Sequence, residues 1–245
     1  MPFDPRLLTE FIDTFYGYGT YSAPFWFVGM EEGGGHTLEE NLRKVTNWHN
    51  HGCKELGSFM ADSQSGVATR WFCNHPPVQS TWGKLIRILL AAQGRQHITA
   101  DHLRDYQRDH LARSNGDTCL LELLPLPSPT TGHWLFDEYA GLPQLKTRDA
   151  YKEYYGRLRA LHIAQRVQEH GPAVVIFYSF DSWYRQYWEL IAGVPFVEQS
   201  GPQGTFYFAS NSRTSFAIVK HPVSRGLTNH YWHWVGETLS PASKS

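Results

Sequence analysis

Cysteine is scarce in this chain of 245 residues. The three cysteines, Cys53, Cys73 and Cys119, lie far apart and are odd in number. A disulfide framework needs paired cysteines, and an iron–sulfur cluster held by thiolates alone needs four of them. The sequence therefore argues against both kinds of site, and we expect the cysteines to be reduced.

Long apolar runs are also missing. No run approaches the ~18 residues that a membrane-spanning helix needs. The chain begins with MPFDPRLLTEF, which has acids and prolines where a signal peptide would need a basic start and an apolar stretch. These absences predict a cytoplasmic protein with no membrane partner.

Neither sign of charge is in large excess. The formal net charge is −1, so the charge of the whole chain does not attract nucleic acid. A nucleic-acid-binding face would have to be local. Arg213, Lys220 and Arg225 lie near one another in the sequence and predict such a local basic patch.

Motifs for nucleotides and metals are absent as well. The chain contains neither Gly-x-x-x-x-Gly-Lys-Ser/Thr nor Gly-x-Gly-x-x-Gly, so its run of three glycines does not indicate a nucleotide enzyme. It also has no His-Glu-x-x-His and no close His/Cys cluster. We predict no metal site and no cofactor. A metal-dependent hydrolase remains an alternative, with Glu31, Glu32, His36 and His221 as its ligands.

Helical and strand patterns alternate along the chain. Apolar residues at helical spacing predict helices in PRLLTEFIDTF, STWGKLIRILLAA, DAYKEYYGRLRALHIAQRVQEH, DSWYRQYWELIA and TNHYWHWVGETL, with another from Thr37 to Trp48. We expect Ser80 to cap the STWGKLIRILLAA helix and Gly94 to end it. Short apolar runs predict strands in APFWFVG, DTCLLELL, PAVVIFYS, GTFYFAS and TSFAIVK.

This alternation predicts a single α/β domain over residues 1–245. We expect a three-layer α/β/α arrangement around a mostly parallel central sheet. Ligands collect at the carboxyl ends of the strands in such sheets. The loops after Val28, Leu121, Tyr178 and Val219 are therefore the places to search for a site.

Three of these loops carry residues suited to chemistry. The first strand is followed by GMEEGGG, which contains Glu31 and ends in the glycines at positions 33–35. The middle strand ends in ELLPLPSP, where Glu122 is alone among apolar residues. The late loop reads KHPVSRGLTNHYW and contains His221.

These motifs resemble those of the uracil-DNA glycosylase superfamily. The segment GMEEGG is similar to the Gly-Met-Asn-Pro-Gly form of the family's first motif, with Glu31 at the position that handles the attacking water. ELLPL is similar to the middle motif and has Glu122 in place of a base-reading Asn. HPVSRGLTNHYW is similar to the last motif and supplies His221. The resemblance implies a uracil-DNA glycosylase-like fold and cleavage of an N-glycosidic bond.

Glu31 and His221 are the residues to which the resemblance assigns catalysis. Glycosidic cleavage passes through a transition state with oxocarbenium character, which a carboxylate near the anomeric carbon stabilises while it orients water. An imidazole could donate a hydrogen bond to the base as negative charge builds on it, which typically contributes on the order of 3 kcal/mol. No lysine is placed as an amine nucleophile, so we expect a monofunctional enzyme that leaves an abasic site.

Glu122 indicates which base the site would accept. An amide satisfies both the acceptor and the donor of uracil, whereas an ionised carboxylate can only accept. The exocyclic amino group of cytosine is a donor, so Glu122 suits a cytosine edge better. Its second oxygen would then face the acceptor N3 of cytosine unless one of the two groups is protonated.

The glycines predict space beside the base. The resemblance assigns Gly29, Met30 and Gly33 to the base pocket. Gly33 stands where the uracil-specific branch has a tyrosine that closes off the C5 side, and the next two glycines extend the opening. A cytosine edge with room at C5 suggests a modified cytosine, such as glucosylated hydroxymethylcytosine in phage DNA. Excision of that base would serve antiphage defence.

The late loop predicts contacts with DNA. Excision from a duplex requires flipping of the nucleotide, and an apolar side chain can fill the space that it leaves. Trp26, or an aromatic residue in HWLFDEY, could stack on the flipped base. The resemblance assigns DNA binding to Lys220, Ser224, Arg225, Leu227 and Asn229, with Leu227 as the filling side chain and Arg225 on a phosphate.

Other interpretations of the same residues stay open at this stage. Glu31 could complement a helix dipole, Glu122 could be a buried acid paired with an arginine, and His221 could be structural. Ser224 and Asn229 are also typical turn and cap residues. The alternative functions are a uracil-DNA glycosylase of base-excision repair and an inactive nucleic-acid-binding module. We expect a monomer whose partner is DNA, single-stranded or duplex.

Overall fold

The computed structural model describes residues 3–33, 36–58, 70–127, 133–139 and 141–240. Gly34 and Gly35, which the sequence assigns to the opening of the base pocket, lie outside the described residues. The strands in the described part are β1 (Gly17–Gly19), β2 (Phe25–Glu31), β3 (Leu56–Gly57), β4 (Thr118–Leu124), β5 (Val174–Phe177), β6 (Val197–Gly201), β7 (Gly204–Ser210) and β8 (Ser215–Ile218). The α-helices are α1 (Pro5–Thr14), α2 (Leu38–Asn50), α3 (Ser80–Ala92), α4 (Ala100–Asp109), α5 (Arg148–His170), α6 (Ser182–Ala192) and α7 (Asn229–Leu239).

All of these strands belong to one sheet, in the order β3–β1–β4–β2–β5–β8–β7–β6. The central neighbours β4, β2, β5 and β8 run parallel to one another. β1 is antiparallel to β4, and β6 and β7 form an antiparallel edge beside β8. The prediction of an α/β fold with a mostly parallel central sheet is therefore confirmed.

The helices pack in two main groups. α3 packs along α7 and against α4, whereas α5 packs along α6 and against β4. A methyl group at Gly236 in α7 would overlap the carbonyl oxygen of Ile88 in α3, so this glycine lets the two helices approach closely. The arrangement is consistent with a three-layer α/β/α fold. No helix in the described part has both the length and the apolar composition that crossing a bilayer requires.

The register of the sheet brings the loops that follow β2, β4, β5 and β8 to one edge. Val28 pairs with Leu121 on one side and with Phe177 on the other, and Phe177 pairs with Ile218. The parallel strands therefore end at the same level. The chain passes from β2 to β4 on one side and then crosses to β5 on the other side. Ligands bind at such a reversal of strand order in open α/β sheets.

A buried arginine ties the helical layer to the strand that carries Glu122. The side chain of Arg159 in α5 is 2% exposed and stacks on Tyr16. Its guanidinium donates to the carbonyl oxygens of Leu123 at 2.6 Å and Phe15 at 2.7 Å, and also to that of Ile12. The bonds to Ile12 and Phe15 satisfy carbonyl groups at the end of α1, where the helix offers no N–H partners.

A second polar cluster anchors the segment before β3. Burial favours the neutral form of Glu55, but hydrogen bonds from His162, Tyr21 and Arg166 outweigh that effect and lower its pKa to about 2. Tyr21 donates at 2.7 Å and Arg166 at 2.9 Å. Because two of these donors lie on α5, the cluster holds the 51–57 segment against that helix.

The N-terminal cap of α3 differs from the sequence-based expectation, whereas the helix ends at Gly94 as expected. Ser80 is the first residue of the helix, and the cap is Gln79, whose side chain accepts from the N–H of Trp82 at 2.7 Å. The longer amide side chain of Gln79 reaches the helix from one position earlier in the chain. At the other end Gln93 is the C-cap, and Gly94 follows with a positive φ of 87°.

Candidate functional site

Gly29 lies at the centre of the strand-end edge, between β4 and β5. A methyl group at this position would overlap both the Oε2 atom of Glu122 and the hydroxyl of Tyr178. The missing side chain therefore leaves room for a carboxyl group and a phenol directly above the backbone of β2. This close approach gives Gly29 a physical role in the site.

Glu122 lies in the middle of this arrangement. Its Oε1 atom accepts a hydrogen bond from the hydroxyl of Tyr178 at 2.9 Å, while its Oε2 atom is shielded from solvent and has no hydrogen-bond partner among the described residues. Burial raises the pKa of the carboxyl to about 7, and the bond from Tyr178 only partly offsets this effect. The alternative of an acid paired with an arginine side chain is wrong, because the bonded partner is a tyrosine.

Glu31 is the last residue of β2, and it is this acid that pairs with an arginine. Its Oε1 atom accepts from the guanidinium of Arg148 at 2.6 Å and from the hydroxyl of Tyr184 at 2.8 Å. Burial lowers the pKa of Arg148, but the bond and charge of Glu31 outweigh burial and raise it overall. Both of these bonds end on Oε1, so within the described part of the chain Oε2 is left for another donor, such as a water molecule. Glu31 is thus held in one orientation.

Glu32 has a different environment from its neighbour. Its carboxylate forms an ion pair with Lys44 in α2. The ammonium group of Lys44 also lies over the rings of Phe11 and Phe15, 5.5 Å and 5.0 Å from their centroids. This contact joins the segment after β2 to helices α1 and α2. Of the two adjacent acids, Glu31 is the one in β2, two positions after Gly29 and so on the same face of the sheet.

His221 follows β8 at the same edge. Its ring lies beside that of Tyr178, with the two centroids 5.9 Å apart. The Nδ1 atom accepts a long bond of 3.4 Å from the N–H of Val223. Burial lowers the pKa of the imidazole, so the neutral form is favoured, and an accepting Nδ1 leaves the proton on Nε2.

The structure therefore brings three of the predicted side chains to one edge. Glu122 and His221 flank Tyr178, Gly29 lies beneath Glu122, and Glu31 ends the strand that carries Gly29. Met30 is half-buried against the core. Gly33 is exposed, and none of the residues that the structure describes lies within 4 Å of the position that its Cβ would take.

The loop from Lys220 to Asn229 leaves this edge toward α7. Ser224 and Arg225 are exposed and Lys220 is half-buried. Asn229 accepts from the ammonium of Lys84 at 3.1 Å, which ties the start of α7 to α3.

Leu227, the expected filling side chain, is half-buried and packs against the core. The large apolar side chain that is exposed in this loop is Val223, at 59%. The role predicted for Leu227 stays a prediction, with Val223 as the more accessible residue.

Two expectations about neighbouring residues are wrong. Trp26 is fully buried and donates through Nε1 to the carbonyl of Ala23 at 2.8 Å, so it cannot stack on a base. Arg213 precedes β8 and bonds the carbonyl of Gln168 at 3.2 Å, whereas Lys220 follows β8. Since β8 lies between them, these two cations are at opposite ends of that strand. Arg213 therefore does not contribute to a patch with Lys220.

Sequence reasoning missed several residues of the site. Tyr178 directly follows a buried strand, and its position at a strand end could have identified it. Arg148 is the first residue of α5, and Tyr184 lies in the first turn of α6. Each bonds Glu31, although more than a hundred positions separate it from Glu31 in the sequence. No local sequence pattern predicts a contact between residues so far apart in the chain.

Metal ligands are not grouped in the part of the chain that the structure describes. That part contains no set of three or more histidine, cysteine, aspartate or glutamate side chains arranged to hold an ion. The polar groups at the strand ends are instead two carboxyls, two phenols, a guanidinium and an imidazole, which can orient water and exchange hydrogen bonds with a polar ring.

Comparison with known proteins assigns no family to the chain. No protein-family model matches the sequence, and a search of curated proteins likewise found no match. A function for this chain therefore has to be argued from the side chains that meet at the strand ends.

Proposed function

We propose that this protein is a monofunctional DNA glycosylase that hydrolyses the N-glycosidic bond of a flipped-out base. The base that suits the site best is a cytosine with a bulky group on C5, such as glucosylated hydroxymethylcytosine. The observation that carries the proposal is the convergence of Glu31, Glu122 and His221 at the ends of three parallel strands. This is the arrangement that the resemblance to the uracil-DNA glycosylase superfamily requires.

Glu31 acts on the sugar side of the bond. Arg148 and Tyr184 hold its Oε1 atom through two hydrogen bonds, which fix the position of the carboxylate. The negative charge stabilises the oxocarbenium character at C1′ while Oε2 orients the attacking water. The water oxygen forms the new bond to C1′, and its proton passes to Glu31.

His221 acts on the base side. The C1′–N bond breaks with both electrons moving to the base, so negative charge builds on the carbonyl oxygen of the ring. A neutral imidazole with its proton on Nε2 donates a hydrogen bond to that oxygen. Burial, which lowers the pKa of His221, keeps it a neutral donor near pH 7. The departing base then takes up a proton from solvent.

Glu122 reads the edge of the base. Because its pKa is about 7, a large part of the enzyme carries the neutral acid at physiological pH. A neutral carboxyl group has one accepting oxygen and one O–H donor. This pair matches the amino donor and the N3 acceptor of cytosine, so no second oxygen faces an acceptor. The unpartnered Oε2 atom is the group that lacks a hydrogen bond before a base arrives.

The open space at Gly33 supports a substrate with a group on C5. Gly33 is exposed, and no described residue lies within 4 Å of its Cβ position, which is consistent with space beside C5 of the base. A sugar attached through a hydroxymethyl group needs such an opening toward solvent. Uracil needs none.

A substrate panel tests this function. Purified protein is incubated with oligonucleotides that carry uracil, cytosine, hydroxymethylcytosine or glucosylated hydroxymethylcytosine, and abasic sites are then cleaved with alkali. We expect strand breaks with the glucosylated base, unchanged by EDTA. Release of uracil alone would refute the assignment of the substrate, and release of no base would refute the glycosylase.

A further inference from the structure

A cleft of about 740 Å³ lies beside the strand-end site, at the antiparallel edge of the sheet. Four parts of the chain line it, namely α3, the loop after α3, the turn between β6 and β7, and one face of α7. Its volume is within the range of about 300–1,000 Å³ that is typical of small-ligand sites. Neither the proposed chemistry nor the base pocket uses this cleft.

Several polar side chains of the cleft can donate hydrogen bonds to an anion. Arg87, His97, His230 and His233 line it, against a single carboxylate. That carboxylate, Glu237, already lies 3.4 Å from the Nε2 atom of His233. An arginine with nearby histidines is a chemistry suited to phosphate, whose oxygens accept several hydrogen bonds.

Two groups at the cleft can donate hydrogen bonds to a ligand. Arg87 donates through Nη1 to the carbonyl of Ile98 at 3.1 Å, which fixes its guanidinium, while its buried Nε has no partner. The cap of α7 is Thr228, whose side chain makes no capping bond, so the first amides of that helix are not satisfied by it. A helix start of this kind attracts anions.

The cleft and the proposed catalytic site lie at the same end of the sheet. Tyr207 pairs with Ile218, so the part of β7 before Tyr207 and the β6–β7 turn extend past the end of β8, where His221 lies. Asn229 lines the cleft and also ends the loop that begins at Lys220. A strand that leaves the base pocket along this loop reaches the cleft next.

We infer that this cleft binds phosphate groups of the DNA strand, one or more nucleotides away from the base that is excised. This inference rests on the proposed DNA partner, but it concerns binding and not base release. The ligand chemistry is a nucleotide phosphate. Its source is a polynucleotide and not a free nucleotide, because the cleft is continuous with the loop after β8.

Binding of a fluorescein-labelled single-stranded oligonucleotide without any target base tests the inference. His230→Glu places a carboxylate in the cleft, and we expect it to raise the Kd at least fivefold and to reduce the salt dependence of binding. Loss of one phosphate contact lowers the slope of log K against log salt by about 0.7 for a single strand. The matched control is His170→Glu. His170 is the last residue of α5 and lies near the amino ends of the parallel strands, away from the cleft, so this variant should leave the Kd unchanged.

Arg87→Gln is the second variant, and thermal unfolding confirms that each variant is folded. We expect Arg87→Gln to weaken oligonucleotide binding in the same way, and adenosine monophosphate to compete only at concentrations far above those of the oligonucleotide. Wild-type Kd values in both folded cleft variants would overturn the inference. Tighter binding of the free nucleotide than of the oligonucleotide would also overturn it. A protein that binds as expected but releases no base would refute the glycosylase alone.

Discussion

The pH dependence of base release depends on Glu122. Burial raises the pKa of its carboxyl to about 7, and kcat/KM reports the ionisation of the free enzyme. If the neutral acid reads the base, the competent fraction is about 0.9 at pH 6 and about 0.1 at pH 8. We therefore expect kcat/KM for the glucosylated substrate to fall about tenfold over this range.

Glu122→Gln is the matched variant for this prediction. An amide accepts through its oxygen and donates through its nitrogen at every pH, so it presents the hydrogen-bond pattern of the neutral acid permanently. We expect the variant to remain active and its kcat/KM to be flat from pH 6 to pH 8. Burial lowers the pKa of His221, and any titration of its imidazole affects the wild type and Glu122→Gln alike.

The measurement is single-turnover base release across pH 6 to pH 9, detected by alkaline cleavage. Glu122→Leu serves as the control, because it keeps the approximate volume and cannot form either hydrogen bond. A flat profile in the wild type would refute the reasoning. The same fall in wild type and Glu122→Gln would refute it as well, because the titrating group would then lie elsewhere.

Four further outcomes follow from individual contacts. Tyr184→Phe removes one bond to a charged oxygen and should lower kcat about tenfold with KM unchanged, as measured by steady-state kinetics. Gly29→Ala should displace the carboxyl and phenol above it and reduce base release about 100-fold, since small misplacements at a site have such effects; retained activity would exclude the close packing. Arg159→Met leaves buried carbonyls without donors and should lower the free energy of unfolding in urea by about 3 kcal/mol. Glu55 has a folded pKa of about 2, below the usual 4.5, so its contribution is complete above pH 4.5 and is lost as the pH falls toward 2; acid unfolding should shift to higher pH in Glu55→Gln.

The strand-end edge could be predicted because its strands are continuous apolar runs. The runs that form β2 and β5 are buried on both faces of the sheet, and such strands differ clearly in sequence from the polar loops that follow them. Since parallel strands end at one edge, the loops that carry Glu31, Glu122 and His221 had to meet once the class of sheet was correct. The prediction of their proximity therefore needed no long-range information.

Short or polar elements could not be predicted in the same way. β1 is only Gly17–Gly19, and β6 is a mostly exposed edge strand that reads VEQSG. Neither has an apolar run or a clear alternation. Helix α4 reads ADHLRDYQRD and buries only three residues, so its apolar stripe is too narrow to indicate a helix.

Errors about side chains arose where sequence proximity was taken for spatial proximity. Trp26 is three residues from Gly29, but a central strand buries both of its faces, so the indole is part of the core. Arg213 and Lys220 are seven positions apart, but an extended strand lies between them. The pairing of Glu31 with Arg148 was missed for the opposite reason. These residues are far apart in sequence and meet only after the helices have packed.

Base release by Glu31→Gln tests the central claim most directly. Single-turnover release from the glucosylated oligonucleotide is compared with the wild type, and binding of the same oligonucleotide is measured beside it. We expect release to fall by about 10²–10⁴-fold while the Kd changes by less than about twofold, because the carboxylate acts on the transition state. Wild-type release by Glu31→Gln would contradict the account.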